Sequence, residues 1–481
     1  MEQPSLSIII TGQNNKKNID VIISEAKKLN SLEIILLLNV SNDETLKNAE
    51  RWGAQVFQFG SEVMSHKMRA FGAKRAKGNI LLFLDAAFVI SAIDLKLFIL
   101  HVQNKKVDLA LSSFAQFPQN GFFNTVSSEY ILNIVAKRRD LGCGSLYNVP
   151  FVISRKALML IGPDSLAVPP LAKINALKEG LIVEAFHVGT SDRIRFDKND
   201  IKSYQVTEEC LQSLSSWLRS NGKRSGYTNL GRRLDTLKIQ NDDVQPFHLG
   251  VTAVIAASNE EGTIGSIVRN AFDAGASQVV VVENGSTDNT AIIARSAGAK
   301  VVSYPNRIGH DVGRAVGVIK FPSTYYLFLD GDMIIPAKEL KPFIKAVTKD
   351  GVDVALNDLS LLLRTYPRWD EVSWSKYFIN CALNREDLDV NTLTAVPHAI
   401  SGRAIDLIGV ENLAVPTVAT VLSVLAGLNV KAIKEIDVIS NNRVRDELHL
   451  SVNGNLTEQL ILGDMCQGIY ELILHKYGRI V

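Results

Sequence analysis

Three short stretches place oxygen-bearing side chains at the ends of apolar runs: SNEE (Ser258–Glu261), ENGSTD (Glu283–Asp288) and DGD (Asp330–Asp332). Two aspartates flanking a glycine can turn toward one cation, because glycine permits a tight turn. Hard divalent ions take oxygen ligands and keep positions open for phosphate oxygens. An ion held there would neutralise a diphosphate leaving group, acting as Lewis acid and template. Glu283 is suited to a different task, accepting bonds from base N–H groups or ribose hydroxyls. Arg314, in GRAVG, offers a fork for phosphates, and its flanking glycines allow close backbone approach. A lone D-x-D is a weak signal. Three acidic strand ends in succession are a stronger one. VTAVIAASNEEG lacks the glycine fingerprint that a dinucleotide site carries after its first strand.

The elements that must position these groups follow from periodicity. VTAVIAA is an apolar run bounded by polar residues and reads as a buried strand. Asn259–Ala274 has helical spacing at Ile264, Ile267, Val268 and Ala271. QVVVVE is a second buried strand, Thr290–Gly298 a helix ending on glycine, KVVSY a short strand, and YYLFLDGD a strand running into acid. Alternating strands and helices predict the α/β class, with a mostly parallel, doubly wound, Rossmann-like sheet. Ligands on such sheets bind beyond the carboxyl ends of the strands, where the acidic clusters sit.

The chain is a tandem repeat. Ser5–Ile99 aligns without a gap on Gly250–Ile344, Asn14 falling on Asn259 and Asn39/Ser41/Asp43/Thr45 on Asn284/Ser286/Asp288/Thr290. Gly53-Ala54 meets Gly298-Ala299, Arg69-Ala70 and Gly72 meet Arg314-Ala315 and Gly317, and LFLD at Leu82–Asp85 meets LFLD at Leu327–Asp330. Farther on, VPFVISRKALMLIG (Val149–Gly162) aligns with VPHAISGRAIDLIG (Val396–Gly409), and Thr207-Glu208 with Thr457-Glu458. A domain-sized period means a duplicated domain rather than a solenoid. The expected organisation is a first domain over 1–220, a linker over 221–249 and a second domain over 250–481.

Composition narrows the function classes. The 481 residues are 46% hydrophobic and 21% charged with a net charge of +2, which gives no reason to expect nucleic acid. The most basic stretch, RSNGKRSGYTNLGRR (Arg219–Arg233), has no acid and reads as a solvated linker, with contact to an anionic membrane surface as the lesser alternative. Four scattered cysteines fit reduced thiols in a cytosol. No run is long and apolar enough to span a membrane, and MEQPSLSIII has no signal-peptide pattern. A cytoplasmic location is expected, with peripheral attachment to the inner face of the membrane and homo-oligomerisation left open.

VIAASNEEGTI, VVVVENGSTDNT, GRAVG and YYLFLDGDM, in that order and spacing, resemble the nucleotide-sugar half of a family-2 glycosyltransferase of the GT-A fold. The resemblance implies transfer of a sugar from a nucleotide diphosphate, UDP- or GDP-linked, with Mn²⁺ or Mg²⁺. It implies that Ala257, Asn259, Glu261, Glu283, Gly285 and Ser286 line the nucleotide pocket, that Arg314 contacts the diphosphate, and that Asp330 and Asp332 hold sugar and metal. The family usually writes two aspartates where this chain has Glu283-Asn284. Inverting members place an acidic base shortly before a glycine like Gly427, where this chain has Val415-Pro416, and neither can take a proton. Glu411 and the pair Glu386-Asp387 are the nearby acids. VPHAISGR is more similar to retaining enzymes such as glucosyl-3-phosphoglycerate synthases, in which a Gly-Arg helps hold the acceptor, so Arg403 joins the catalytic candidates. Those enzymes add a histidine to the metal shell. His449, preceded by Arg443 and Arg445, fits the spacing, and His398 is its rival. Trp369 and Trp374 are candidates for stacking on a sugar, with core packing as the plainer role.

The first copy keeps the strands and loses the chemistry. Leu38 stands opposite Glu283, Asn15 and Lys16 opposite Glu260 and Glu261, Ala87 opposite Asp332, Phe151 opposite His398 and Asn199 opposite His449. A non-catalytic first domain is therefore expected. The leading function is a metal-dependent glycosyltransferase acting in the second domain on an acceptor left open as a small molecule, a lipid-linked species or a cell-surface glycan precursor. A non-catalytic nucleotide-sugar-binding protein is the alternative, and a nucleotidyltransferase ranks last because no glycine-rich, basic turn follows the first strand.

Overall fold

Strands buried on both faces must be apolar at every position, and the chain writes such runs twice. In the computed structural model, which describes residues 5–13, 18–39, 50–113, 123–188, 203–238, 243–364, 370–438 and 455–478, they build two sheets of seven strands. The chain divides into two compact units, Met1–Ser220 and Asn221–Ile480.

In the first unit the strands are β1 (Leu6–Gln13), β2 (Glu33–Asn39), β3 (Gln55–Phe59), β4 (Ile80–Asp85), β5 (Leu109–Ser113), β6 (Phe151–Ser154) and β7 (Val183–His187), in the order β3-β2-β1-β4-β6-β5-β7. The second unit repeats this as β8 (His248–Ala257), β9 (Gln278–Asn284), β10 (Lys300–Tyr304), β11 (Ser323–Asp330), β12 (Val354–Asn357), β13 (His398–Ser401) and β14 (Val430–Lys434), in the order β10-β9-β8-β11-β13-β12-β14. Only β6 and β13 run antiparallel to their neighbours. The expected α/β class with two tandem, mostly parallel sheets is what the chain forms.

Side chains alternate across each strand, so each sheet feeds two cores. In the second unit Ile255, Val281 and Leu327 pack with the helices Ile264–Ala274 and Ala337–Thr348. Val254, Val280 and Phe328 pack on the other face with the helices Val312–Lys320 and Gly402–Ile408. The helix expected from Asn259 starts at Ile264 instead. Asn259 adopts φ 58°, and the intervening residues form a loop whose polar groups are spent on its neighbour.

The basic stretch differs from its expectation as a solvated segment. Arg224 and Arg232 each meet Asp464 at 2.6 Å, on the helix Leu456–Tyr477, and Arg232 is 7% exposed. The acid that accounts for these cations lies more than two hundred residues away in sequence, so local composition could not show it.

The first unit has its own buried ion pair. Lys173 Nζ donates to Glu129 Oε2 at 2.5 Å and to the Gly144 carbonyl at 2.9 Å, with both side chains inaccessible. Breaking one side of such a pair leaves an uncompensated charge, whereas removing both is often nearly neutral. Lys173→Met should therefore cost about 3–5 kcal/mol of stability in the first unit, measured by urea denaturation of the full chain. The double variant Glu129→Leu/Lys173→Met should regain most of it, and a double variant as unstable as the single one would contradict the pairing argument.

Candidate functional site

The parallel strands β9, β8 and β11 are neighbours, so their carboxyl ends open side by side. Ala257 stands in register with Glu283, and Ala256 with Asp330. The chain then turns tightly, and Gly331 N–H donates to the Ala256 carbonyl at 2.8 Å. A Cβ at position 331 would lie 2.7 Å from Ala257 Cβ, so this glycine is required by close approach rather than by an unusual backbone angle. The first unit solves the same problem in reverse. Ala86 stands where Gly331 does, and Gly12 where Ala257 does, with 2.7 Å separating Ala86 Cβ from a Cβ built on Gly12. One of the two positions must be glycine, and each copy chose a different one.

The rim of the crevice is a lattice of bonds between two loops. Asn259 N–H donates to Ser286 Oγ (3.0 Å), Thr287 N–H to Asn259 Oδ1 (2.8 Å), Glu260 N–H to Thr290 Oγ1 (2.7 Å), Glu261 N–H to Asp288 Oδ2 (3.1 Å) and Asn289 N–H to Glu261 Oε2 (3.1 Å). Asn259, Glu261 and Ser286 therefore shape the crevice wall. Glu283 is buried, and its Oε1 accepts from Ser286 N–H across Gly285, which adopts φ 67°. Asn284, read from sequence only as a departure from the family pattern, has a definite task. Its Nδ2 donates to the Gly309 carbonyl (3.2 Å) and its Oδ1 accepts from Ile308 N–H (2.6 Å). Needing both a donor and an acceptor excludes aspartate there. Asn39 repeats half of this in the first unit by donating to the Val63 carbonyl.

Arg314, on the helix Val312–Lys320, is 4% exposed. Its Nη1 donates to the Leu393 carbonyl (3.2 Å) and meets Asp311 Oδ1 (3.2 Å), while Nη2 lies 3.5 Å from Asp330 Oδ1. Burial alone would raise the Asp311 carboxyl, but the Arg314 and Arg232 guanidiniums outweigh it and hold Asp311 below the usual range. Asp330 goes the other way. Desolvation raises it, Asp332 and Asp311 add to the rise, and Arg314 only partly opposes them. Crowded carboxylates with one pushed up are an oxygen donor set short of positive charge, which a hard divalent cation would supply. Asp330 and Asp332 fit that role by chemistry and position. Among the described residues no three His, Cys, Asp or Glu side chains cluster as a metal cage, so the case for a cation rests on this pair.

Other candidates lie elsewhere. His398 is 1% exposed in register with Phe328, its ring tilted on that ring at 5.1 Å, and its Nδ1 pairs with the Ala395 carbonyl. Arg403 is not brought to the crevice. Because β13 runs antiparallel, Ser401 pairs with Tyr325, so Arg403 follows the amino end of β11, roughly 17 Å along the strand from Asp330. There it is exposed and pairs with Asp353 at 3.2 Å. Asp387 is held low by Arg385, whose Nε and Nη2 both reach it and whose Nη2 also donates to the Val430 carbonyl. Arg138, Asp140 and Val183 repeat that arrangement in the first unit, which marks it as structural. Val415-Pro416 opens a helix, Pro416 filling its first turn. Trp374 is 4% exposed, in edge contact with Tyr377. His449, Arg443, Arg445 and Trp369 lie outside the described residues, as do Asn14, Asn15, Lys16, Ser41, Asp43, Thr45 and Asn199 of the first copy. Sequence reasoning missed Asp311. Its only signal was a position one helical turn before Arg314.

The family model described as Glycosyl transferase family 2 matches residues 7–162 and 252–378. An uncharacterized protein of Methanocaldococcus jannaschii is 29% identical over 129 residues, 26% of this chain and 52% of that protein. A glucosyl-3-phosphoglycerate synthase of Mycolicibacterium paratuberculosis is 32% identical over 114 residues, 21% of this chain and 35% of that enzyme. The chain thus spans about half and about a third of these relatives' lengths. A solved structure of glucosyl-3-phosphoglycerate synthase from Mycobacterium tuberculosis, in complex with Mn²⁺, UDP and glucosyl-3-phosphoglycerate, aligns at 17% identity over 45% of this chain and 79% of that one, with a TM-score of 0.34. Another, with Mg²⁺ and UDP, aligns at 16% identity over the same shares, also with a TM-score of 0.34.

Two outcomes follow from the geometry. Gly331→Ala should destabilise the second unit by about 1–3 kcal/mol through overpacking, and Ala257→Gly/Gly331→Ala, which rebuilds the first unit's arrangement, should recover that loss in thermal melts. Burial, with Arg314 adding to it, pulls His398 down to about 3 from its ordinary 6.5. The imidazole should show no titration between pH 5 and 8 by NMR. Since the unfolded chain takes up that proton and the folded one does not, His398 should erode stability as pH falls below 6.5 toward 3; His398→Gln should flatten that slope.

Proposed function

The chain belongs to glycosyl transferase family 2, and from that membership we propose that its second domain, 250–481, transfers a sugar from a UDP- or GDP-linked donor to an acceptor hydroxyl. The observation that carries this is that the carboxyl ends of β8, β9 and β11 lie side by side, with Glu283 and Asp330 ending their strands, Asp332 just beyond and Arg314 beside Asp330. The transfer breaks the bond between the anomeric carbon and the diphosphate oxygen. The acceptor oxygen bonds to that carbon, and its proton passes to the departing nucleoside diphosphate.

In this reading Glu283 and Ala257 face the nucleoside, with the loop lattice of Asn259, Glu261, Gly285 and Ser286 holding the pocket's shape. Arg314 contributes a fixed positive charge beside the departing diphosphate, already desolvated and therefore strong. Asp330 orients the sugar, and Asp330 and Asp332 would hold Mn²⁺ or Mg²⁺. When bound, that ion supplies Lewis-acid stabilisation of the leaving group. His398, neutral and engaged with a carbonyl, acts as packing beneath the floor, and His449 remains the proposed histidine ligand. Arg403, paired with Asp353 at the opposite end of the strand, has no part in the chemistry of this reading.

The first domain, 1–220, is proposed to be non-catalytic. Asp85 is engaged locally, accepting from Thr11 Oγ1 (3.1 Å) and from Ala87 N–H (2.9 Å), and Ala87 takes the place of the second aspartate. A second reading, a nucleotide-sugar-binding protein without transfer, draws on Val415-Pro416, which stand where the resemblance puts an inverting base, and on Asp387 being tied to Arg385. A cytoplasmic location is proposed from the pattern of cysteines. All four are buried and free of disulfides, and no helix among the described residues is long and apolar enough to cross a membrane.

The full chain should gain several degrees of melting temperature with a UDP- or GDP-sugar plus Mn²⁺. Asp332→Ala should abolish that gain and Asp85→Ala should keep it. Equal loss in both variants would sink the one-site reading, and ligand-induced stabilisation without transfer or slow hydrolysis would favour the binding protein.

A further inference from the structure

The strongest feature that the site does not yet explain is the arginine-bearing arm of 221–233. Arg232 is buried, and all three guanidinium nitrogens donate. Nη1 donates to Asp464 Oδ1 (2.6 Å), Nη2 to Asp464 Oδ2 (2.8 Å) and to Asp311 Oδ2 (2.8 Å), and Nε to the His310 carbonyl (3.0 Å). The backbone docks as well, Arg233 N–H donating to the Ile308 carbonyl at 2.9 Å. Gly309, at φ 100°, makes room, since a Cβ there would lie 2.7 Å from Arg232 Cα. Arg232 thus grips the loop 308–311 from outside while Asn284 grips it from β9. The loop leads into the helix carrying Arg314, and Asp311 bonds both arginines.

We infer that Arg232 is a positioning residue of the donor site, holding Asp311 so that Arg314 is presented to the diphosphate and Asp330. The inference rests on the donor-site reading above. A comparison of the two copies separates it from generic packing. Arg314 and Asp330 have counterparts in Arg69 and Asp85, but every partner of the clamp differs: Gly309 is matched by Met64, Asp311 by His66 and Asp464 by Leu214. The two acids that Arg232 grips are present in the copy that carries Asp332 and replaced in the copy that carries Ala87. A structural need common to both copies would have left it in both. Two grips, on Asp464 and on Asp311, require the planar fork of arginine; a lysine ammonium can satisfy Asp464 but not this whole set. Arg224 is the internal control, because it meets Asp464 Oδ1 (2.6 Å) and the carbonyls of Thr228 and Leu460, but not the loop.

The test is calorimetric titration of the full chain with UDP and with GDP, each with Mn²⁺, alongside thermal melts without ligand. Arg232→Lys keeps the charge against Asp464 and should remain folded, yet it should lose at least tenfold in nucleotide affinity. Asp311→Asn should lose affinity similarly. Arg224→Ala should lower the melting temperature and keep wild-type affinity. Wild-type affinity in both Arg232→Lys and Asp311→Asn overturns the inference, as does an equal loss in Arg224→Ala. A wild-type protein that binds neither nucleotide overturns the donor-site reading itself, a result distinguishable because it appears before any variant is compared.

Discussion

A buried guanidinium must be paired, and much of the second unit's crevice can be understood from that requirement. Arg314 is almost inaccessible, and its partners come from three places: Asp311 one turn back, Asp330 at the end of β11, and the Leu393 carbonyl on the far side of the crevice. Pairing it fixes the strand end, the helix start and the opposite loop relative to one another. The same tether exists in the first unit, where Arg69 Nη1 donates to the carbonyls of Leu146 and Tyr147. The arginine retained in both copies is thus explained first by architecture. What distinguishes the second copy is the set of acids gathered around it.

The duplication separates what the fold needs from what the site needs. Arg69 and Arg314, and Arg138 and Arg385, bond backbone carbonyls in equivalent places, Asn39 and Asn284 bond carbonyls one residue apart in the repeat, and all six are kept. The exchange of Gly12/Ala86 for Ala257/Gly331 shows a constraint kept while the residues carrying it changed. The acids at 283, 311 and 332 serve no such backbone role in common, and Leu38, His66 and Ala87 take their places in the first unit. Charge is costly to keep where it is partly desolvated, so wherever nothing requires an acid its replacement is the physically favourable drift.

Much of this was legible in one dimension. Apolar runs ending in acid gave the strands and their carboxyl ends, and the internal repeat gave two equivalent sheets without reference to structure. The acids of the D-x-D, Glu283 and Arg314 could be singled out because residue type and strand-end position together restrict their chemistry, and the fold brings their strand ends side by side. The placement of Arg403 and the partner of Asp387 could not be read in advance, because sequence order does not reveal that β13 runs antiparallel or that Arg385 reaches across to β14. The antiparallel strand carries Arg403 to the end of the sheet opposite Asp330, and the Arg385 fork holds Asp387.

Sequence by itself determined the duplicated α/β architecture, the strand ends and the acidic residues there, because burial on two faces and chain reversal at glycine are local demands. Tertiary structure alone decided which charges meet. Arg232 and Asp464 are separated by most of a domain in sequence, yet they share two hydrogen bonds. Gly331 is glycine because of Ala257, and Gly309 because of Arg232. Such contacts depend on distances between segments that no local pattern encodes, and they tie a solvated-looking linker into the fold of the second unit.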